Sequence, residues 1–248
     1  MNKIIILLLL ILFTSCKTES KKELSAQEII DKSIEVSGGK LHNKKLVSFL
    51  FRGRKYIAEN NNGKKILKRI TFTDSLRITD VKRHDSFERY FNDSLVYTPD
   101  SIANRYSNSV NSVHYFARLP YGLNDAAVKK ELIGETMIEN RAYYKVKVTF
   151  AQENGGKDFE DIYIYWFNKE TFKPDYLAYK FYTDGGGIRF REAYNERYID
   201  GIRFVDYNNL KPKNKTVSIY RIDSIFGVKE LELLSKIELD SIRVSIMN

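Results

Sequence analysis

The chain has 248 residues, a formal charge of +9 and a single cysteine, and Tyr and Phe supply 17 and 15 of its residues. That length is ample for one domain with a substantial core, while one cysteine excludes an internal disulfide and a thiolate metal cluster. The positive charge is dispersed in pairs such as Lys68-Arg69, Lys82-Arg83 and Lys129-Lys130 with acids between them, which excludes the basic stripe of a nucleic-acid binder.

The chain opens on an export signal. Lys3 supplies a positive start, Ile4 to Phe13 carry no polar side chain, and Thr14 and Ser15 are small. A basic, an apolar and a small-residue region in that order describe a secretory leader, and the apolar run falls well short of the roughly twenty residues that cross a bilayer. Residues 1–15 therefore read as a signal peptide. Cys16 directly behind it resembles the lipobox cysteine of bacterial lipoproteins, which implies a diacylglycerol on its thiol and a membrane partner. Lys17 stands where an Asp would suggest inner-membrane retention, so the expected location is the outer membrane, with the leaflet open. Residues 16–24 are polar and read as a tether, and residues 25–248 as one domain.

Ser25 and Glu28 have capping-box spacing, and Ile29, Ile30 and Ile34 give the helix behind them an apolar face that Gly38-Gly39 ends. From Leu46 the period changes to two. Leu46 to Ala58, Lys64 to Thr73, Leu76 to Lys82 and Phe87 to Tyr97 read as four strands, separated by turn residues such as Asn60 to Gly63 and Asp74-Ser75. Connections this short suit an antiparallel meander. Between Asp100 and Leu119, Ile102, Tyr106, Val110, Val113, Phe116 and Ala117 sit at helical intervals before Pro120, which predicts one or two short helices laid across the sheet.

Strands resume near Val128. In Tyr143 to Phe150, Tyr144, Val146, Val148 and Phe150 face one way and Tyr143, Lys145, Lys147 and Thr149 the other. Asn154-Gly155-Gly156 turns the chain into Asp161 to Phe167, which is apolar on both faces, as is Tyr176 to Tyr182. Such strands need cover on both sides and belong at the sheet centre under the inserted helices. Asp184 to Gly187 and Asp200-Gly201 mark further hairpins, and Val217 to Ile222 and Leu231 to Val244 read as the last strands. The expected fold is mainly β (α+β). It is a single antiparallel, strongly curved sheet or unclosed barrel of about ten to twelve strands, with an N-terminal helix and a mid-chain helical lid.

This order of elements resembles the lipoprotein-carrier architecture, the LolA/LolB-like group with related lipoproteins of unassigned function. The local resemblances lie in Glu28-Ile29-Ile30 with Gly38-Gly39, in the hairpin Tyr165 to Pro174, and in Asp200-Gly201-Ile202-Arg203-Phe204. The resemblance implies an incompletely closed barrel whose cavity, lidded by helices, holds acyl chains. The anchor is more similar to the membrane-bound receptor member than to the soluble carrier.

No catalytic motif, metal-ligand spacing or cofactor loop stands out, so no enzyme, metal or cofactor is expected. His42, His84 and His114 lie far apart and read as surface or capping residues, and Glu160-Asp161 and Glu192 with Glu196 as solvated acids. Asp-Ser followed by Leu or Ile occurs at Ser75, Ser94, Ser101, Ser224 and Ser241. The triplet resembles an O-glycosylation acceptor of one group of Gram-negative bacteria, and it is equally what a turn entering a strand needs. Two functions remain open. One is binding of an acyl chain, lipid or other apolar ligand on the concave face, lined by Phe116, Ile164, Trp166, Tyr179 and Phe181. The other is a non-enzymatic lipoprotein docking on an envelope protein partner, with no ligand cavity.

Overall fold

The computed structural model describes residues 23–61, 64–151, 160–182, 185–214 and 216–246. The leader, Cys16, most of the tether and the Asn154-Gly155-Gly156 turn lie outside the described residues.

Helix α1 (Ala26–Val36) starts as its spacing requires. The Ser25 hydroxyl accepts from the Glu28 backbone N–H at 3.2 Å, and the Glu28 carboxylate accepts from the Ser25 N–H at 2.8 Å. Ile29 and Ile30 are fully buried. Gly38, at φ +114°, ends the helix against the second half of the chain. A Cβ there would meet the Gly201 carbonyl oxygen at 2.9 Å, and the Arg203 N–H donates to the Ser37 carbonyl at 3.2 Å. Two glycine motifs far apart in sequence thus form one contact that side chains would prevent.

One turn, α2 (Leu41–Lys44), leads into β1 (Lys45–Phe51), β2 (Arg54–Asn61), β3 (Lys64–Phe72), β4 (Arg77–Lys82), β5 (Phe87–Phe91) and β6 (Ser94–Val96). They pair antiparallel in sequence order, and the last strand, β14 (Asp240–Ile246), closes the other side of β1. Leu46 to Ala58 and Phe87 to Tyr97, expected as single strands, each fold as a hairpin. Arg52 and Gly53 at φ 48° and 71°, and Asn92 and Asp93 at 44° and 73°, are two-residue turns whose positive φ matches strand twist. Among the described residues fourteen strands result.

The second sheet runs β7 (Val128–Ile138), β8 (Arg141–Phe150), β9 (Ile162–Asn168), β10 (Pro174–Phe181), β11 (Gly187–Ile199), β12 (Ile202–Pro212) and β13 (Leu231–Ile237), again antiparallel and in order. Hydrogen bonding thus divides the expected antiparallel architecture into two sheets of seven strands. The chain passes between them at Glu238-Leu239. Asp206 holds that corner, accepting from the Leu239 N–H at 2.9 Å and from Arg197 at 3.0 Å. At the far end β6 and β7 do not pair, so the architecture stays open, as expected.

Helix α3 (Asp100–Ala117) is one continuous helix lying between the sheets. Val110 packs with Ala58 and Leu67, and His114 packs edge-on to Phe49 and Tyr56 of the first sheet. Tyr115 meets Phe150 of the second, its hydroxyl 3.4 Å from that of Tyr165. The Ser/Asn-rich middle is not a break, and its Ser109 is tied to the first sheet. Asp80 accepts from Arg69 at 2.6 Å and from Arg89 at 2.7 Å, Arg69 also donates to Ser109 at 2.9 Å, and Arg89 lies 3.5 Å over the Tyr106 ring.

The segment Val217 to Ile222 departs from expectation. Ser218 caps a 3-10 turn, Ile219–Arg221, that runs into α4 (Ile222–Gly227). Ile219, Ile222 and Phe226 recur at helical intervals and land on the second sheet, with Phe226 centred 4.8 Å from Phe190. The two-faced strands are therefore covered by α3 on one side and α4 on the other.

Candidate functional site

Alternation gives β8 to β11 two faces with different fates. On the outer face Tyr143, Ile164, Trp166, Tyr176, Ala178 and Phe190 are buried under α4. Trp166 is fully buried, its indole N–H donating to Asp223 at 3.2 Å, and Lys145 ion-pairs with the same carboxylate oxygen at 2.7 Å. Ile164 and Trp166, expected beside Phe116, Tyr179 and Phe181, are instead core on the opposite face. A strand of period two shows that two apolar faces exist but not which one a ligand would meet.

The inner face, towards α3, is fully buried at Val146, Val148, Tyr165 and Phe167 and less completely filled towards its edge. Phe150, Tyr163, Tyr179 and Phe181 are half-buried and form a row of rings. Centroids are 5.6 Å apart between Phe150 and Tyr163, 5.6 Å between Tyr163 and Tyr179, and 6.0 Å between Tyr179 and Phe181. Phe116 on α3 packs edge-on against Phe51 of the first sheet, with centroids 5.3 Å apart. Between Phe116 and Tyr179 sits the Arg191 guanidinium, 5.1 and 5.2 Å from the two ring centres and 3.3 Å from the Tyr179 hydroxyl. Arg189 lies 5.0 Å over Phe181. Register explains the grouping, since Leu177 pairs with Arg191, Tyr179 with Arg189 and Phe181 with Gly187. Three of the five expected lining residues are thus brought together, with two arginines that sequence reasoning missed. Their signal was the alternation Ile188, Arg189, Phe190, Arg191, in which the apolar pair belongs to the sealed face and the cations to the inner one. Burial pushes the Tyr115 and Tyr165 phenols up, so both are neutral here.

A separate cleft of about 370 Å³ opens beside the β9–β10 turn, lined by Tyr143, Asp175, Glu192, Glu196 and Arg203 among others. Arg203 bridges Glu196 at 2.6 Å and Asp175 at 3.8 Å, Lys173 reaches Glu196 at 2.5 Å, and Tyr143 donates to Asp175 at 3.1 Å. Burial raises the Asp175 carboxyl, against the pull of Arg203. Glu192 and Glu196, read as solvated acids, line this cleft. Its lining is charged, which suits no acyl chain.

Among the described residues no group of three His, Cys, Asp or Glu side chains could hold a metal ion. His84 is exposed beside Asp85, but His42 and His114 correct the surface reading: both are buried, and desolvation holds each imidazole near a pKa of about 3. Ser75, Ser94, Ser101, Ser224 and Ser241 are all exposed.

A family model described as a family of unknown function, DUF6503, matches residues 2–239. The chain belongs to that family. No curated protein matches it. Among solved structures, this DUF6503 chain is similar to a LolA superfamily protein from Nitrosomonas europaea at 11% identity and a TM-score of 0.47, covering 90% of this chain and 92% of that one. It is also similar to a DUF1329 family protein from Desulfovibrio piger at 10% identity and a TM-score of 0.42, covering 88% and 92%.

Proposed function

We propose that this DUF6503 chain is an exported, lipid-anchored protein of the bacterial outer membrane that binds an acyl chain, lipid or other apolar ligand on the inner face of its second sheet, without catalysis. The observation that carries the reading is the half-buried row Phe150, Tyr163, Tyr179 and Phe181 facing α3. Burying about 300 Å² of ligand there supplies roughly 7 kcal/mol of gross transfer energy before association costs. Cys16, directly behind the apolar run, carries the anchor in this reading, and two or three acyl chains retain a protein far longer than one.

A second reading, docking on another envelope protein, is favoured by the β6 edge, which pairs with no further strand among the described residues and where Leu95 and Tyr97 are exposed.

Mass spectrometry of the protein gently solubilised from its own membranes tests these together. Denatured, the chain is expected to begin at Cys16 with a diacylglyceryl mass, and peptides carrying the five serines report any glycan. Under native conditions a non-covalent lipid is expected in a reproducible ratio. A chain that retains Met1 or a bare thiol overturns the anchor, and a protein free of lipid but bound to one protein partner supports the docking reading instead.

A further inference from the structure

The cations on the inner face are unlike most other arginines that are at least partly buried. Arg69, Arg89, Arg197 and Arg203 each hold a carboxylate at 2.6 to 3.0 Å. Among the described residues, neither Arg189 nor Arg191 has a carboxylate within ion-pair distance. Arg189 donates to its neighbour's carbonyl, Ile188, at 3.0 Å, and Arg191 only to the Tyr179 hydroxyl. The Arg191 Nε is buried without any hydrogen-bond partner. Asn209, directly across the β11–β12 ladder from Arg191, has its Oδ1 in the same state. Arg118, at the end of α3, also lacks a carboxylate among the described residues, but it is buried, whereas Arg189 and Arg191 are half-exposed.

Two guanidiniums held on aromatic faces, partly out of water and without counter-ions, represent a standing electrostatic cost. The two guanidiniums lie 5.0 to 5.2 Å from the ring centres of Phe116, Tyr179 and Phe181, and with one side-chain hydrogen bond each they keep further N–H groups for an acceptor. A carboxylate or phosphate oxygen meets that geometry with short, charge-assisted bonds. The rings beside them offer apolar surface to whatever is attached to the anion.

We infer that the ligand of the inner face is an anionic amphiphile, its carboxylate or phosphate held by Arg189 and Arg191 and its hydrocarbon lying along the aromatic row. This rests on the binding function proposed above and names the ligand class that site takes. A purely apolar molecule would leave both cations uncompensated inside the complex.

Three probes with the same sixteen-carbon tail test it on the full chain by native mass spectrometry: palmitate, 1-palmitoyl lysophosphatidate and neutral 1-monopalmitoylglycerol. Both anionic probes are expected to bind about tenfold or more tightly than the neutral one, the scale of one or two charge-assisted hydrogen bonds. The order of palmitate and lysophosphatidate then assigns the headgroup as carboxylate or phosphate. Arg189→Gln with Arg191→Gln is expected to erase the anionic preference while leaving neutral binding, and Arg191→Lys to retain most of it. Should the double variant fail to fold, the ratio on the native chain and the lysine variant decide. Equal binding of charged and neutral probes by the native chain overturns the inference and leaves the binding function standing. Binding of none of the three overturns both.

Discussion

The two faces of one sheet, separated only by the thickness of β8 to β11, are finished differently. The outer face is sealed: Trp166, Tyr176 and Phe190 are covered by α4, and the polar groups at that seam meet in Asp223, Lys145 and the indole N–H. The inner face is buried at Tyr165 and Phe167 too, but towards its edge Phe150, Tyr163, Tyr179 and Phe181 are only half-buried, and among the described residues the arginines beside them lack carboxylates. Aromatic content alone therefore does not mark a binding surface. What distinguishes the inner face is incomplete satisfaction, an excess of apolar area and positive charge that the fold does not use itself.

The contrast can be broken most sharply at Trp166. Trp166→Ala removes a fully enclosed ring and a hydrogen bond, and a loss of about 4 kcal/mol in unfolding free energy is expected in urea melts. A loss below 1 kcal/mol would mean that the outer face is not sealed core.

Acid separates the two sides by a different route. His114 seats α3 on the first sheet, its Nε2 3.0 Å from the Lys68 carbonyl oxygen, and His42 stacks on Tyr121 beyond the helix end. Arg118 and Lys65 lie near both and add to desolvation in lowering the two pKa values to about 3. The unfolded chain protonates these residues near pH 6.5, so it binds more protons than the folded chain below that pH. Their contribution to stability is complete above about pH 6.5 and is lost progressively between there and about pH 3, at roughly 2 kcal/mol per histidine by pH 5. Hydrogen exchange from pH 7 to 5 is expected to speed up in α3 more than in α4. Equal acceleration of the two helices would place the acid-sensitive groups elsewhere.

The smallest effect is expected at Tyr179. Tyr179→Ala removes a half-buried ring, so it is expected to cost about 1 kcal/mol in the same urea melts while abolishing retention of palmitate. A large loss of stability there would make the inner face ordinary core and remove its claim to a ligand.

Much of this architecture can be read from residue order. The Ser25/Glu28 capping box, the Gly38-Gly39 stop and the strict alternation of Tyr143 to Phe150 each state a local preference that tertiary packing leaves alone. The hairpins inside Leu46 to Ala58 and Phe87 to Tyr97 were hidden because Arg52, Asn92 and Asp93 are polar residues at places where alternation allows polar residues. Their positive φ leaves no mark on hydrophobic pattern. Helix α4 was hidden by brevity, since Ile219 and Ile222 also fit a strand until Phe226 is counted with them. At the site, Phe116, Tyr179 and Phe181 stood out as surplus aromatics. Separating them from Ile164 and Trp166 required knowing what covers each face, and α4, the cover of one of them, was itself unread.

The bend at Glu238-Leu239 has a consequence for timing. It delivers β14 to the free side of β1, so that Lys45 lies opposite Ile246. The first strand of the domain and the last are partners, and closing so long a stretch of chain carries an entropic penalty before any contact repays it. While the C-terminal residues are still being made, β1 has one unpaired edge, and the first sheet lacks its seventh strand. Assembly can begin early in the β2 to β6 meander or in the second sheet, each of which pairs neighbour with neighbour. Completion of the first sheet waits for the final segment, Asp240 to Ile246.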